Sequence, residues 1–319
     1  MYTNEVIKLA IEYKYTAEDL KTMQAWPLWK KIQVSQAKII EWYFRHNGKV
    51  SISTSGGKDS MVLLDLARRC FPGIEAVYVN TGLDYPEVRT AAINTPNIKV
   101  IKPRLKFDEV VKLYGWCYPS KDVAHTIYYA RKGSLWALER IKGINRDGSP
   151  SKYRQSHYMR WGHLLDAPFI ISAKCCEIMK ERPLEQYRKE SGNHPMIGTI
   201  AVESQRRKQA WLQTGCNNFD SKKPISKPLS IWTESDILQY IKNYNIAIPS
   251  VYGDIVQGKN GRLTTTKEKR TGCIFCPVGC HLHKENRFQR LAETHPKLYK
   301  YCMNTLKLGS FLEYLGIPK

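Results

Sequence analysis

The sequence predicts an α/β chain: a Rossmann-like, doubly wound parallel sheet with an N-terminal helical segment and a cysteine-rich, helical C-terminal segment. Three observations carry that prediction. A strand-like run, Val50-Ser51-Ile52-Ser53, enters the glycine turn Ser55-Gly56-Gly57-Lys58-Asp59-Ser60. A helical stretch then runs from Met61 to Arg69, with Val62, Leu63, Leu66 and Ala67 to bury. A second strand, Ala76 to Asn80, follows at a distance that makes parallel pairing through a right-handed crossover the default. Cysteines gather late, in Cys273, Cys276 and Cys280, behind an adjacent pair, Cys175-Cys176.

Taken in order, residues 1–47 read as helices that Pro27 interrupts. Leu28, Ile32, Ile39, Trp42 and Tyr43 share one face at helical spacing, the pattern of a buried stripe, and Asn47-Gly48 ends the run. The strand, glycine turn and helix start that follow form an anion site. Glycines let the backbone approach, helix-start N–H groups point at the ligand, Lys58 adds charge, and Ser55 and Ser60 add hydroxyls. In parallel sheets ligands sit beyond the strand C-termini where strand order reverses. Asn80, Thr81, Gly82 and Asp84 are therefore expected beside Gly56-Gly57; Asp84 reads equally as a helix cap before Pro86. Ile98–Ile101 is a third strand, Phe107–Tyr114 a helix, and Gly115–Asp122 a loop. Gly198–Arg207 reads as a strand running into a polar turn, and Thr233 with Asp236 caps a further helix. The tail is helical, with Phe288, Leu291, Leu298, Tyr299 and Leu306 to bury. The linear division is 1–47, 48–245 and 246–319.

Charge narrows the function. Lysine and arginine number 50 against 29 aspartates and glutamates, a net +21. One nucleotide needs only a few cations, so a protein-wide excess points to a polyanion, most simply nucleic acid. Between Lys121 and Trp161, the basic residues Lys121, Arg131, Lys132, Arg140, Lys142, Arg146, Lys152, Arg154 and Arg160 are interleaved with Tyr128, Tyr129, Trp136, Tyr153, Tyr158 and Trp161, which suits phosphate contacts and base stacking. Lys259-Asn260-Gly261-Arg262 and Lys267–Arg270 form another basic loop. No apolar run reaches the ~18 residues of a membrane span. Met1 to Tyr15 lacks the apolar core of a secretory signal. Nine cysteines in such a chain suggest metal or redox use. The expected location is the cytoplasm, with no membrane partner. Adjacent cysteines fit one tetrahedral ion poorly, whereas a cluster spreads its ligands over several irons. An iron–sulfur cluster is favoured on that ground, with zinc as runner-up.

The loop Ser55-Gly56-Gly57-Lys58-Asp59-Ser60, after a strand, resembles the pyrophosphate loop of the N-type ATP pyrophosphatases, whose fold is that of the adenine nucleotide alpha hydrolases. Asn80–Glu87 and Gly115–Asp122 resemble segments of the phosphoadenosine phosphosulfate reductase family. So do Cys175-Cys176 with Lys180 and Pro183-Leu184, Glu203-Ser204-Gln205-Arg206-Arg207, and Gly272-Cys273-x2-Cys276. The resemblance implies Ser55–Ser60, Asn80, Thr81, Gly82, Ser120 and Lys121 as nucleotide-binding residues. Lys58, Asp59 and Arg206 or Arg207 act on the phosphates. Cys175, Cys176, Cys273 and Cys276 hold a [4Fe-4S] cluster, with Cys280 as a replacement ligand or a sulfur-handling thiol. Cys70, Cys117 and Cys216 read as small buried residues, and His281 and His283 as surface or supporting ones.

The family's reductases carry a later Glu-Cys-Gly-[Leu/Ile]-His segment that nothing after Cys280 matches; Cys302 lacks its neighbours. The expected function is therefore an ATP pyrophosphatase and sulfur-transfer enzyme. It is similar to the adenylating component of DNA phosphorothioation and to RNA thiolases, uses ATP and Mg²⁺, and has nucleic acid and a sulfur-donor protein as partners. The alternative is a sulfonucleotide reductase using another thiol.

Overall fold

The computed structural model describes residues 14–151, 158–258, 261–282 and 285–319. The roles expected of residues 1–13, Lys152, Tyr153, Arg154, Lys259, Asn260 and His283 lie outside them. Thr16 closes a capping box with Asp19 and opens α1 (Ala17–Ala25); α2 (Leu28–Arg45) restarts behind Pro27. Asn47 and Gly48, at φ 49° and 75°, turn the chain into β1 (Val50–Thr54). Then come α3 (Lys58–Cys70), β2 (Glu75–Val79), α4 (Pro86–Ile93), β3 (Ile98–Ile101), α5 (Phe107–Tyr114), α6 (Lys121–Ala130) and α7 (Leu135–Lys142). Short α8 (Lys174–Cys176) passes through a π turn, Glu177–Glu181, into α9 (Arg182–Ser191). Next are β4 (His194–Ile197), α10 (Gln205–Thr214), β5 (Asn217–Asn218), β6 (Ile225–Ser226) and α11 (Glu234–Tyr244). A hairpin, β7 (Ile255–Gln257) and β8 (Leu263–Thr265), precedes α12 (Arg287–Thr294), α13 (Pro296–Lys300) and α14 (Leu308–Tyr314).

Two compact units interleave along the chain. The first holds the residues up to Tyr78, Tyr85–Ile101 and Gln186–Thr271; the second holds Val79–Asp84, Lys102–Glu185 and Gly272–Lys319. They do not coincide with the linear segments 1–47, 48–245 and 246–319, because the N-terminal helices share the core of the sheet: Leu20, Ile39 and Trp42 pack with Ile52, Leu63, Leu66 and Trp232.

The first unit is built on a six-stranded sheet in the order β3-β2-β1-β4-β6-β5. β1 pairs in parallel with β2 (Ser51↔Glu75 to Thr54↔Tyr78) and with β4 (Val50↔His194 to Ser53↔Ile197), β4 pairs in parallel with β6, and β5 runs antiparallel against β6. The sheet is therefore the parallel, helix-flanked α/β sheet the sequence predicts. Val50, Ser51 and Ile52 are all buried, since β1 is central and covered on both faces. Strand order reverses between β1 and β4, which puts the ligand crevice at their C-terminal ends.

Two boundaries differ from expectation. α3 begins at Lys58 rather than Met61, because Gly57 caps it and the Ser60 hydroxyl donates to the Gly57 carbonyl at 2.8 Å. No strand forms within Gly198–Arg207: β4 (His194–Ile197) ends before it. Ala201–Glu203 is a 3₁₀ turn, and Ser204 caps α10 by accepting from Arg207 N, so Arg206 and Arg207 stand on a helix start.

The second unit is helical, with Val110, Trp116, Ile127, Leu164, Ile171, Phe288, Phe311 and Leu312 buried. Phe288, Leu291 and Leu306 are buried as expected, and Leu298 and Tyr299 are half-buried. Among the described residues no helix is long and apolar enough to cross a membrane.

Candidate functional site

In the first unit the glycine turn leaves β1 at the reversal point. Gly56 has φ 71°, and a Cβ there would stand 2.5 Å from the Val88 carbonyl oxygen and 2.9 Å from Ala92 Cβ. Glycine is thus required for conformation and for space. At Gly57 a Cβ would meet Tyr252 Oη at 2.9 Å. Gly198, just past β4, lets that strand lie against the start of α3: a Cβ would stand 2.7 Å from the Asp59 carbonyl oxygen.

Hydroxyls hold the turn's N–H groups. Ser55 N donates to Ser60 Oγ (3.2 Å), Gly56 N to Thr54 Oγ1 (3.1 Å), Gly57 N to Ser55 Oγ (3.4 Å) and Lys58 N to Tyr252 Oη (3.2 Å). Tyr252 also meets Thr271 Oγ1 at 3.2 Å. These are the donors that a helix N-terminus presents to an anion.

Cations crowd the same unit. The Lys58 side chain is 3% exposed, with Nζ 3.5 Å from Asp59 Oδ1 and 3.6 Å from Glu234 Oε1. Arg207 pairs with Glu203, and Arg270 reaches the same carboxylate at 3.6 Å. Burial and then the Arg270 charge lower the Arg207 pKa, while Asp59 acts the other way. Burial, Arg207 and Arg206 lower the Lys227 pKa. Cations that raise one another's energy in this way are the electrostatics of a site shaped for an anion. Arg206 and Arg207 are both exposed; Arg207 pairs with Glu203 and feels the charge of the loop's Asp59. Tyr252, Thr271 and Glu234 are absent from the residues the motif marks. They reach the loop from distant stretches with no local pattern, so nothing in the sequence marks them.

In the second unit Cys117, Cys175, Cys176, Cys273 and Cys276 line one cavity, walled by Leu83, Phe107, Trp116, Met179, Phe275 and Pro277. Cys280 does not line it. Cys280 is buried apart, near Tyr118 and Arg287, and burial pushes its thiol up to about 11. Cys117, expected to be a plain core residue, is 2% exposed and stands at the cavity; its hydrogen bond with Cys175 is the main cause of that thiol's raised pKa. The signal that could have found it is its place in the Gly115–Asp122 loop, which the motif comparison had singled out for other residues.

Two lysines face these thiols. Burial works against both ammonium groups. Cys176, Cys117 and Glu181 outweigh it at Lys121, and Cys273 and Asp84 outweigh it at Lys180, so both pKa values are raised. Asp84 lies 4.0 Å from Lys180 Nζ, and α4 is capped at Tyr85 without a side-chain bond, so Asp84 is not the helix cap. Ser120 caps α6 by accepting from Val123 N. Thr81 Oγ1 accepts from Leu83 N, and Gly82 has φ 72°. Asn80, Thr81, Gly82, Ser120 and Lys121 all belong to the second unit.

Among the described residues no three His, Cys, Asp or Glu side chains are arranged to hold a single metal ion. An all-thiol donor set with apolar walls and two compensating lysines is nonetheless the donor chemistry of an iron–sulfur cluster, which spreads its thiolates over several irons. The residues present fit that group.

Residues 49–132 and 101–286 match the family model of the phosphoadenosine phosphosulfate reductase domain. An uncharacterized protein of Methanocaldococcus jannaschii is 20% identical over 283 residues, 87% of this chain and 53% of that protein, so the chain spans about half of that relative's length. The adenosine 5′-phosphosulfate reductase of Staphylococcus haemolyticus is 24% identical over 215 residues, 66% of this chain and 68% of that one. A phosphoadenylyl-sulfate reductase structure from Candida auris, in complex with phosphate, aligns with a TM-score of 0.39 at 15% identity, covering 74% of this chain and 90% of that one.

Proposed function

From a chain that belongs to the phosphoadenosine phosphosulfate reductase domain family, we propose an enzyme that activates nucleic acid with ATP for sulfur incorporation. The observation that carries this reading is the turn at the sheet's reversal point, where N–H groups from Ser55 to Lys58, the Lys58 ammonium and Arg207 surround one helix start. The turn takes the β- and γ-phosphates of ATP. A substrate oxygen attacks the α-phosphorus, the bond to the bridging oxygen breaks, and pyrophosphate leaves with its charge offset by Lys58 and Arg207. Asp59 and Glu234 are the carboxylates available to a Mg²⁺ on those phosphates. A sulfur nucleophile from a donor protein then displaces AMP from the activated atom.

Cys175, Cys176, Cys273 and Cys276, with Cys117 beside them, would hold the [4Fe-4S] cluster. Bound there, the cluster supplies electron transfer or sulfur binding. Lys121 and Lys180 would balance its thiolate charge, and the apolar walls would keep water from it.

The Staphylococcus relative's name favours a second reading, reduction of a sulfonucleotide. Within this chain the late thiol Cys302 is 0% exposed and donates to the Tyr299 carbonyl, so that reaction would need another cysteine. One experiment separates the two. Anaerobically purified protein is assayed for pyrophosphate release from ATP, with and without nucleic acid, and for sulfite release from adenylyl sulfate. Pyrophosphate release stimulated by nucleic acid supports the first reading. Sulfite release without ATP turnover sinks it.

A further inference from the structure

We propose that the exposed rings of His125 and Trp136 and the half-buried ring of Tyr129, on α6 and α7, form a stacking platform for the bases of single-stranded nucleic acid. The inference rests on the nucleic-acid reading above for its substrate class and adds the surface that binds it.

Geometry supplies the first ground. The ring centroids lie 4.7 Å apart for His125 and Tyr129, 5.7 Å for His125 and Trp136, and 6.0 Å for Tyr129 and Trp136. The indole is 41% exposed and its neighbour Leu135 46%. A tryptophan left half in water beside an exposed leucine gives up burial that a core position would have used. Stacked bases would cover it.

Charge supplies the second. Lys132 Nζ sits 4.5 Å from the Tyr128 ring centroid and the Arg140 guanidinium 5.5 Å from that of Trp136. Lys132, Lys142 and Arg146 are exposed on the same α6–α7 stretch and the turn after it. The exposed acids there are engaged locally. Asp122 accepts from Tyr158 and lies 4.0 Å from Arg140, and Asp147 accepts from Ser149 N and Oγ. The face therefore offers cations to phosphates and rings to bases, the combination that binds single strands without sequence preference. A duplex hides its base faces, which favours the single strand.

Position supplies the third. Lys121, at the first turn of α6, meets the Cys176 thiol; the rings follow on the same helix. From Lys121 to Tyr129 the axial rise is roughly 12 Å. Lys174, the residue before Cys175, is paired with Glu177 at 2.7 Å and feels the charge of Tyr129 and Tyr128. The His125 and Tyr129 rings thus share a helix with the lysine that meets the Cys176 thiol.

The test is fluorescence anisotropy of the full chain with a labelled single strand of about 20 nucleotides, which is longer than one stacking platform occupies. Trp136→Ala and His125→Ala are expected to weaken binding by roughly five- to hundredfold, and Trp136→Phe to retain most of it. Lys132→Gln is expected to flatten the salt dependence of the affinity. Circular dichroism and the unfolding midpoint check that each variant folds. Wild-type affinity in both alanine variants overturns the proposal, as does an equal preference for duplex, or no binding at all. Intact strand binding that needs the rings, in a protein that releases no pyrophosphate from ATP, would sink the function proposed above and leave the platform standing.

Discussion

Lys58 shows what the loop asks of a single residue. Its ammonium is almost wholly buried, which is costly unless it is paired, and Asp59 and Glu234 supply the partners. Lys58→Met is expected to lower ATP-dependent pyrophosphate release by about 10²-fold or more, the scale of losing one preorganised charge from a transition state. A coupled pyrophosphate assay checks it. Gly56→Ala would force a side chain into the left-handed region against the Val88 carbonyl. It is expected to cost about 2 kcal/mol, read from urea midpoints.

His46 carries a pH consequence. Its ring stacks on His194 at 3.7 Å, beside Trp42 at 4.3 Å, and Nε2 is buried without a hydrogen-bond partner among the described residues. Burial, then His194 and Arg45, depress its pKa from 6.5 to about 4. The folded state therefore holds the neutral ring while the unfolded chain takes up a proton. That stability is complete above pH 6.5 and lost as pH falls toward 4. Between pH 7 and pH 5 this contribution falls steadily. A His46→Phe variant, which keeps the stack, is expected to show a shallower fall in urea midpoint over that range.

Helix α2 makes the corresponding point at the scale of elements. Its apolar stripe, Ile39 and Trp42 above all, was readable from spacing; its polar seam was not. Lys31 is 1% exposed, with Nζ 2.6 Å from Asp236 and 2.7 Å from the Gln24 carbonyl, and Ser35 Oγ accepts from the Trp232 indole at 2.8 Å. Periodicity counts apolar residues and cannot tell a lysine in water from one buried against α11. Lys31→Ala is expected to cost about 3–5 kcal/mol, since it leaves Asp236 short of its partner. Asp236 also closes the capping box of Thr233, so Asp236→Asn is expected to weaken both α11 and the seat of α2. Urea unfolding of both variants checks the pair. The loop shows the same limit. Its motif was legible because six adjacent residues carry it, while Tyr252 and Thr271 reach it only through the fold.

On the scale of the whole molecule, the cysteines divide by environment. Five thiols share a cavity in the second unit, while Cys280 and Cys302 are buried elsewhere. Anaerobic reconstitution with iron and sulfide is expected to load wild-type protein and Cys280→Ser alike, and to fail for Cys273→Ser. Cys117→Ala is expected to keep iron but alter the visible spectrum, because it removes the hydrogen bond to Cys175. Iron loss in Cys280→Ser would show that the cavity is not the site. The net +21 also belongs to this scale: it is a property of the chain's composition, and the fold decides only where the charge gathers.

The amino-acid sequence by itself determined the parallel α/β sheet, the turn at its reversal point and the presence of a cysteine-rich site. Strand–helix alternation, a contiguous loop and dense thiol spacing are local patterns, and local patterns survive in one dimension. Tertiary structure alone decided that Cys117 joins the cavity and Cys280 leaves it, that Asp84 answers Lys180 rather than capping α4, and that Arg207 and Arg270 share Glu203. Those assignments depend on which buried charges and thiols meet across long sequence separations. Packing sets that, through the cost of leaving them unpaired.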